Sequence, residues 1–403
     1  MDVEALREDF PALKREINGK PPVYLDNACM TLRPRQVIDA LTEYYEKYPA
    51  CHGRSVHKFA MEVTERFEKS RKTMQRFINA SKSNEILFTK NTTEGINLIA
   101  NALGLQKGDK VLTTDREHNS NLIPWLKLEK GRGIEHEVVP SNQDNTFNME
   151  NFESMLDPNV KVVSLVHTSN LDGYTIPAKE IIKKAHRNGS LVVLDGAQSA
   201  PHKEVDVKKL DADFFAFSCH KMCGPSGMGV LYGKQKLLNE IESFIVGGET
   251  VEDSHYDSFS LLPPPEKFEA GLQNYAGAMG AAAAAEYLMK VGKKGIQEHE
   301  LKLNKLGTDL LAEIPKVSII GPGDTELRSG IVNFLVEDMD PHDVSIILDE
   351  TKNVMTRSGR HCVHSWYNAK GIRGSTRASM YFYNTEAEIE LFANTLKEVV
   401  QLS

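Results

Sequence analysis

The chain has 403 residues, enough for a substantial core and for two domains. Its 48 Lys and Arg against 56 Asp and Glu leave a formal charge of −8, which gives no electrostatic support to nucleic-acid or membrane-surface binding. No apolar run nears the roughly 20 residues of a bilayer span, and the N-terminus lacks a basic-then-apolar signal layout. The five scattered cysteines, with no CxxC pair, suit free thiols in a reducing, cytoplasmic setting.

Residues 1–22 are polar and read as a lead-in with a short helix at 3–9; residues 24–28 are short and extended. Pro34 suits the first turn of a helix that runs to about Tyr48 and is ended by Pro49. A polar loop with Cys51, His52, Arg54 and His57 leads into a second helix, marked by Val63, Phe67, Met74 and Phe77. A strand at 85–89 breaks into Asn91-Thr92-Thr93-Glu94-Gly95, which opens a helix bearing Ile96, Ile99, Ala100 and Leu103. Hydroxyls and free N–H groups at a helix start make an anion site, with a plain N-cap as the competing reading.

From 110 to 194 strands alternate with helices: strands at 110–114, 135–139, 160–166 and 191–194, helices at 149–156 and 179–187. Such alternation argues for a mostly parallel sheet covered by helices, with ligands outside the carboxyl ends of its strands. Glu117-His118-Asn119 and His167-Thr168-Ser169-Asn170 fall at such ends. Asp195 closes the strand at 191–194, with Gln198 three residues on. The next apolar run, 214–217, ends in Ser218, Cys219, His220 and Lys221 before the turn GPSGMG and a further run at 230–232. One strand end offers a carboxylate and its neighbour an amine. That pairing suits a cofactor with a ring nitrogen at one side and an aldehyde at the other, pyridoxal phosphate, with His118 placed to stack on the ring. Either half alone occurs in doubly wound proteins without any such role.

A helix at 236–242 precedes a loop-rich section, 247–271, and helices at 279–289 and 295–313 mark the passage to a second domain. Strands at 317–320, 330–336, 354–357 and 378–383, a helix at 342–348 and a C-terminal helix capped by Thr385 and Glu388 complete it. The expected division is an N-terminal segment 1–22, a large domain 23–290 and a small domain 291–403. The polar segment 357–377 carries Cys362, a candidate thiolate nucleophile whose anion Arg357, Arg360 and His361 would favour. The alternatives are an inert thiol and a metal cluster of His361, Cys362 and His364, for which no fourth ligand is signalled locally.

Together the motifs YLDNA, NTTEGINL, EHNSNLIPW, HTSN, LVVLDGAQSA, SCHKMCGPSGMGVLYG, FEAG, RSGRHC and TRASMYFYNT cover nearly the whole length. In them the chain resembles the class V aminotransferase family and, within it, the cysteine desulfurases of the SufS type. The resemblance implies an α/β PLP-dependent transferase of fold type I, a homodimer, with a mostly parallel large-domain sheet and a smaller α+β C-terminal domain. It implies conversion of L-cysteine to L-alanine, the sulfur passing to Cys362 as a persulfide for iron–sulfur cluster assembly through a sulfur-acceptor or scaffold protein. By the same resemblance Lys221 is the Schiff-base lysine, Asp195 the partner of the ring nitrogen and Gln198 that of the ring hydroxyl. His118 stacks on the ring and shuttles protons. Thr93, Ser218 and His220, with Thr92 beside them, hold the phosphate. Asn170 and Ala28 lie by the substrate, and Arg377 clamps its carboxylate. Selenocysteine lyase, or another class V enzyme such as an aminotransferase or epimerase with a dispensable Cys362, is the alternative, and a non-enzymatic PLP-binding partner is a third reading.

Three places depart from the pattern. Leu272 and Gln273 follow FEAG where a threonine reaching the partner subunit's phosphate is usual, so either Gln273 substitutes or the phosphate has one contact fewer. Cys223 replaces an aromatic, as a core residue or a second sulfur carrier. The loop 52–57 is a residue longer than usual, which unsettles the outer substrate contacts.

Overall fold

The computed structural model describes residues 1–402. Seven strands, β1 (Ile86–Thr89), β2 (Lys110–Thr114), β3 (Glu135–Val139), β4 (Val160–Val166), β5 (Leu191–Asp195), β6 (Phe214–Ser218) and β7 (Gly229–Gly233), form one sheet in the order β1-β7-β6-β5-β4-β2-β3. All run the same way except β7, which is antiparallel to both its neighbours. Strands β5 to β7 are buried almost throughout, so they read as continuous apolar runs without alternation. Co-directional strands place the segments after Thr89, Thr114, Val166, Asp195 and Ser218 along one rim of the sheet.

The second sheet is antiparallel throughout: β8 (Val317–Ile320), β9 (Ile331–Val336), β10 (Arg357–Gly359) and β11 (Ser375–Ser379), in the order β8-β9-β11-β10. Helices Lys293–Ala312, Pro341–Lys352 and Glu386–Leu402 cover it, and Leu303, Val332, Phe334, Leu348 and Leu396 share its core. Thr385 and Glu388 make the expected reciprocal cap, with bonds of 3.2 and 3.1 Å. The N-terminal segment joins this layer: Val23–Tyr24 pairs in parallel with Val354–Met355, and Arg7 meets Glu388 at 2.9 Å. It also reaches the other core, where Phe10 packs edge-on against Tyr287 and Phe382.

Several elements differ from expectation, among them the strand expected at 354–357, which divides into Val354–Met355 and Arg357–Gly359. Helix Asn119–Arg132 follows β2, although Pro124 lies inside it. A hairpin of Val251–Ser254 and Phe259–Leu261 occupies the loop-rich section, and helix His364–Lys370 lies in the polar segment after Cys362. The strand expected at 378–383 is instead Ser375–Ser379, because Tyr381, Phe382 and Tyr383 leave the sheet to pack as an aromatic cluster.

Candidate active site

A cavity of about 240 Å³ opens at the rim of the large sheet, between the ends of its strands and the second sheet. It gathers the residues assigned above to cofactor, substrate and persulfide, whereas Gln273, Cys223 and the loop 52–57 lie outside it.

The β5 end supplies Asp195, whose Oδ1 accepts the Ala197 N–H at 2.9 Å. Burial raises its pKa, and the charge of Lys221 opposes that. Burial in turn lowers the pKa of Lys221, opposed chiefly by Asp195. The two face the same cavity without forming an ion pair among the described residues, which leaves the carboxylate and the amine open toward the space between. Gln198 donates to the Ala28 carbonyl at 2.7 Å, and its buried Oε1 has no partner.

An anion cradle is built where helix Thr92–Ala102 begins. Asn91 caps it through the Glu94 N–H, and Ser218 Oγ accepts the Thr92 N–H at 2.8 Å and meets the Thr92 hydroxyl at 2.7 Å. The hydroxyls of Thr93 and Ser120 meet at 2.7 Å on its open side. Gly229 makes the cradle possible, since a Cβ there would lie 2.6 Å from the Asn91 Cα. His220 completes the wall, with burial pushing its pKa down to about 4.

His118 caps helix Asn119–Arg132: its Nδ1 accepts the Ser120 N–H at 3.0 Å, so the ring's own proton sits on Nε2. Burial, with Lys221 and Arg377 adding to it, lowers its pKa to about 3. The imidazole is neutral, a flat wall and not a charge. Arg377 is buried on β11, where Nη1 donates to the Asn170 carbonyl at 2.7 Å and Nε has no partner. Asn170 donates to the His361 carbonyl at 2.7 Å and leaves its own Oδ1 unpartnered.

Cys362 lies at the tip of a turn closed by the Val363 N–H and the Arg360 carbonyl at 2.8 Å. Its two central residues, His361 and Cys362, have φ of 48° and 59°, the left-handed pair of a type I′ turn that glycine and asparagine normally fill. The Cys362 carbonyl accepts the Asn119 N–H at 2.7 Å, which ties the turn to the residue after His118. The expected cationic surroundings are only partly present. Burial drives the pKa of His361 down to about 2, so it carries no charge, and Arg360 turns away to the Arg373 carbonyl. Arg357 remains at the cavity wall.

Sequence reasoning missed the cavity positions of Cys29, Ser120 and Thr168. Ser120 and Thr168 lie inside the motifs already singled out; nothing in the sequence marks Cys29. Cys223 is wholly buried, and burial pushes its thiol up to about 12, the state of a core residue. Loop 52–57 turns onto its own neighbours, with Arg54 at 2.7 Å from Glu249 and Gly53 N–H on Thr64 at 3.0 Å.

These residues fit pyridoxal phosphate. The buried unpartnered oxygens of Gln198 and Asn170, the unpartnered Arg377 Nε and the half-satisfied Asp195 all belong to residues lining one cavity, beside a primary amine and a hydroxyl-rich helix start. Buried polar groups without partners are costly, and a polar ligand would relieve that cost. The Aminotransferase class-V family matches residues 23–392, and the chain belongs to that family. Its relatives include a probable cysteine desulfurase of Streptomyces coelicolor, 41% identical over 99% of this chain and 97% of that protein. Another, from Pyrococcus abyssi, is also 41% identical, over 99% of this chain and 98% of that one. Among solved structures, the apo cysteine desulfurase of Thermococcus onnurineus NA1 superposes with a TM-score of 0.94 at 39% identity, covering 99% of this chain and 98% of that one. The fold expected from the motifs, α/β of the fold-type I kind with a mostly parallel main sheet, is the fold observed.

Proposed function

We propose that the protein is a pyridoxal-phosphate-dependent cysteine desulfurase of the SufS type, which converts L-cysteine to L-alanine and takes the sulfur onto Cys362 as a persulfide. One observation carries the reading: an amine (Lys221), an acid (Asp195), a guanidinium (Arg377) and a thiol (Cys362) from distant parts of the chain line one cavity.

Lys221 would anchor the cofactor covalently, Asp195 would face its ring nitrogen, Gln198 its ring hydroxyl and His118 its flat side. Thr93, Ser218 and His220 would hold the phosphate, with Thr92 holding Ser218 in place. When bound, the cofactor supplies an electron sink for charge that develops at the substrate α-carbon. Arg377 and Asn170 orient the substrate, Arg377 by its carboxylate, beside the backbone of Ala28. Lys221, kept toward its neutral form by burial, moves the α-proton. Cys362 takes the sulfur, and its partly exposed position at the cavity wall would let it pass that sulfur outward. Gln273 donates to the carbonyls of Glu269, Ala270 and Gly271, which supports one phosphate contact fewer over substitution.

The same reading makes the protein a cytoplasmic homodimer that hands sulfur to an acceptor or scaffold protein for iron–sulfur cluster assembly. A groove lined by half-exposed Phe244 and Ile245 and by exposed Leu272 supports the dimer, and five free cysteines support a reducing compartment. Two largely separate cores support the division at about residue 290, with 1–22 fastened to both layers, through Phe10 and Leu13 in the larger core and through Arg7 on Glu388.

The test is alanine, sulfide and persulfide formation from L-cysteine by the holoenzyme and by Cys362→Ser. Loss of sulfur products in the variant, with cofactor absorbance retained, is the expected result. Undiminished sulfur release would overturn the reading in favour of a class V enzyme that does not use Cys362. L-selenocysteine and L-alanine as competing substrates separate the lyase and aminotransferase alternatives.

A further inference from the structure

We propose that Cys29 is a second sulfur-carrying residue, which receives sulfur from Cys362 inside the active-site cavity; this rests on the desulfurase reading above. Of the five cysteines only Cys29 and Cys362 line that cavity, and both are partly exposed, whereas Cys219 and Cys223 are buried in the core. Cys29 sits in the turn that follows the extended N-terminal segment, with its N–H bonded to the Asp26 carbonyl at 3.1 Å. The adjacent Ala28 N–H is fixed on Ser379 Oγ at 2.9 Å. Arg357 donates from Nη1 to the Cys29 sulfur at 2.5 Å. That arginine stands opposite Arg377 in the β10–β11 register, so the contact places a fixed cation against the sulfur at the cavity wall. Lys221 lines the same cavity, so both thiols border the space that its amine faces.

The two thiols differ in their supports. Cys362 is carried on a left-handed turn, while Cys29 lies in a segment fixed on either side of it, by the Asn27 N–H on the Ser379 carbonyl at 3.3 Å and the Thr31 N–H on the His220 carbonyl at 3.0 Å. In the proposed step the Cys29 thiolate attacks the outer sulfur of the Cys362 persulfide. A bond forms between the Cys29 sulfur and that outer sulfur while the bond to the Cys362 sulfur breaks, and Cys362 leaves as thiolate and takes up the proton released from Cys29. Electrons balance within the transfer, so no oxidant or reductant is needed. Cys362 is then free for a second molecule of substrate, and one chain stores two transferable sulfurs before an acceptor arrives.

The experiment loads the holoenzyme with excess L-cysteine without acceptor, alkylates it, and maps the cysteine peptides by mass spectrometry. The expected result is one added sulfur on both the Cys29 and the Cys362 peptides. In Cys29→Ser only Cys362 carries sulfur and the stored amount halves; in Cys362→Ser neither position carries it. A loaded Cys362 beside an unmodified Cys29 overturns the relay and leaves the desulfurase reading standing. Sulfur on Cys29 in Cys362→Ser overturns it too, as does accumulation of a Cys29–Cys362 disulfide with free sulfide. No alanine and no sulfur on either peptide overturns the desulfurase reading itself. The unaltered protein decides the first question, so the outcome does not depend on how either variant folds.

Discussion

Arg377 on β11 donates to the backbone carbonyl of Asn170, in the loop after β4, at 2.7 Å, and so joins the two sheets across the floor of the cavity. Its remaining donors are not fully used, since Nε has no partner and Nη2 lies 3.5 Å from Asp26. A planar fork with spare N–H groups in a buried site suits a carboxylate. Arg377→Lys keeps the charge and loses the fork, and is expected to lower kcat/KM by about 100-fold, ~2.7 kcal/mol. Steady-state kinetics with L-cysteine check this; an unchanged kcat/KM would remove Arg377 from the substrate site.

Acid should destabilise the fold through its buried histidines. Burial lowers His118 and His167 to about 3, His220 to about 4 and His361 to about 2, against an ordinary 6.5. As pH falls below 6.5 the unfolded chain binds protons that the folded chain refuses, so stability falls from there, until about pH 4 for His220, about 3 for His118 and His167 and about 2 for His361. Glu117 acts the other way: burial raises it from 4.5 to about 7, so the folded form gains stability as pH drops through that range. Asp26 and Asp195, which burial also raises, act in the same direction as Glu117. These four histidines, with His136 lowered by burial as well, outnumber the three acids, at about 1.4 kcal/mol per pH unit for each uncompensated proton. Urea midpoints at about pH 7 and pH 5 measure the net effect, and Glu117→Gln should make the loss steeper. A higher midpoint at the lower pH would contradict this account.

The FEAG motif carries a structural charge. Glu269 accepts two bonds from Arg71, at 2.7 and 2.8 Å, and the Phe88 N–H at 2.7 Å, and both charged side chains are buried. Glu269→Ala leaves the buried Arg71 guanidinium only the more distant Glu68, 3.6 Å from its Nε, and should cost about 3 kcal/mol. The denaturant midpoint should drop with an unchanged slope.

Gly229 is a packing requirement of the anion cradle. Gly229→Ala forces a methyl against the Asn91 backbone and is expected to cost about 1–3 kcal/mol. It should also weaken cofactor binding, because Asn91 sets where helix Thr92–Ala102 begins. Titration of the apoprotein with pyridoxal phosphate, followed by absorbance, tests the second effect separately from the melting temperature.

The buried strands of the large sheet were legible because apolar runs end abruptly in polar residues at the rim, as at Asp195 and Ser218. Helix Asn119–Arg132 was not, because it has no clear apolar stripe: Ile123 is half-exposed while Asn121 is buried, and Pro124 reads as a breaker. Strand Ser375–Ser379 is polar yet wholly buried, so the neighbouring aromatic run took its place in the reading. The site was largely legible because each motif carries its residues at a strand end or turn. Cys29 was not, since its significance depends on Arg357, 328 positions away. Chain order holds no trace of such a meeting.

The turn at Cys362 has a mechanical consequence. Two successive side-chain-bearing residues in left-handed backbone each cost about 1–2 kcal/mol relative to a relaxed geometry. The fold therefore holds this turn like a bent spring, retained by the Asn119 and Asn170 bonds. On the desulfurase proposal, loosening those two catches would relax the left-handed pair, so an outward swing of a loaded Cys362 would be favoured by its own backbone and the return opposed by it.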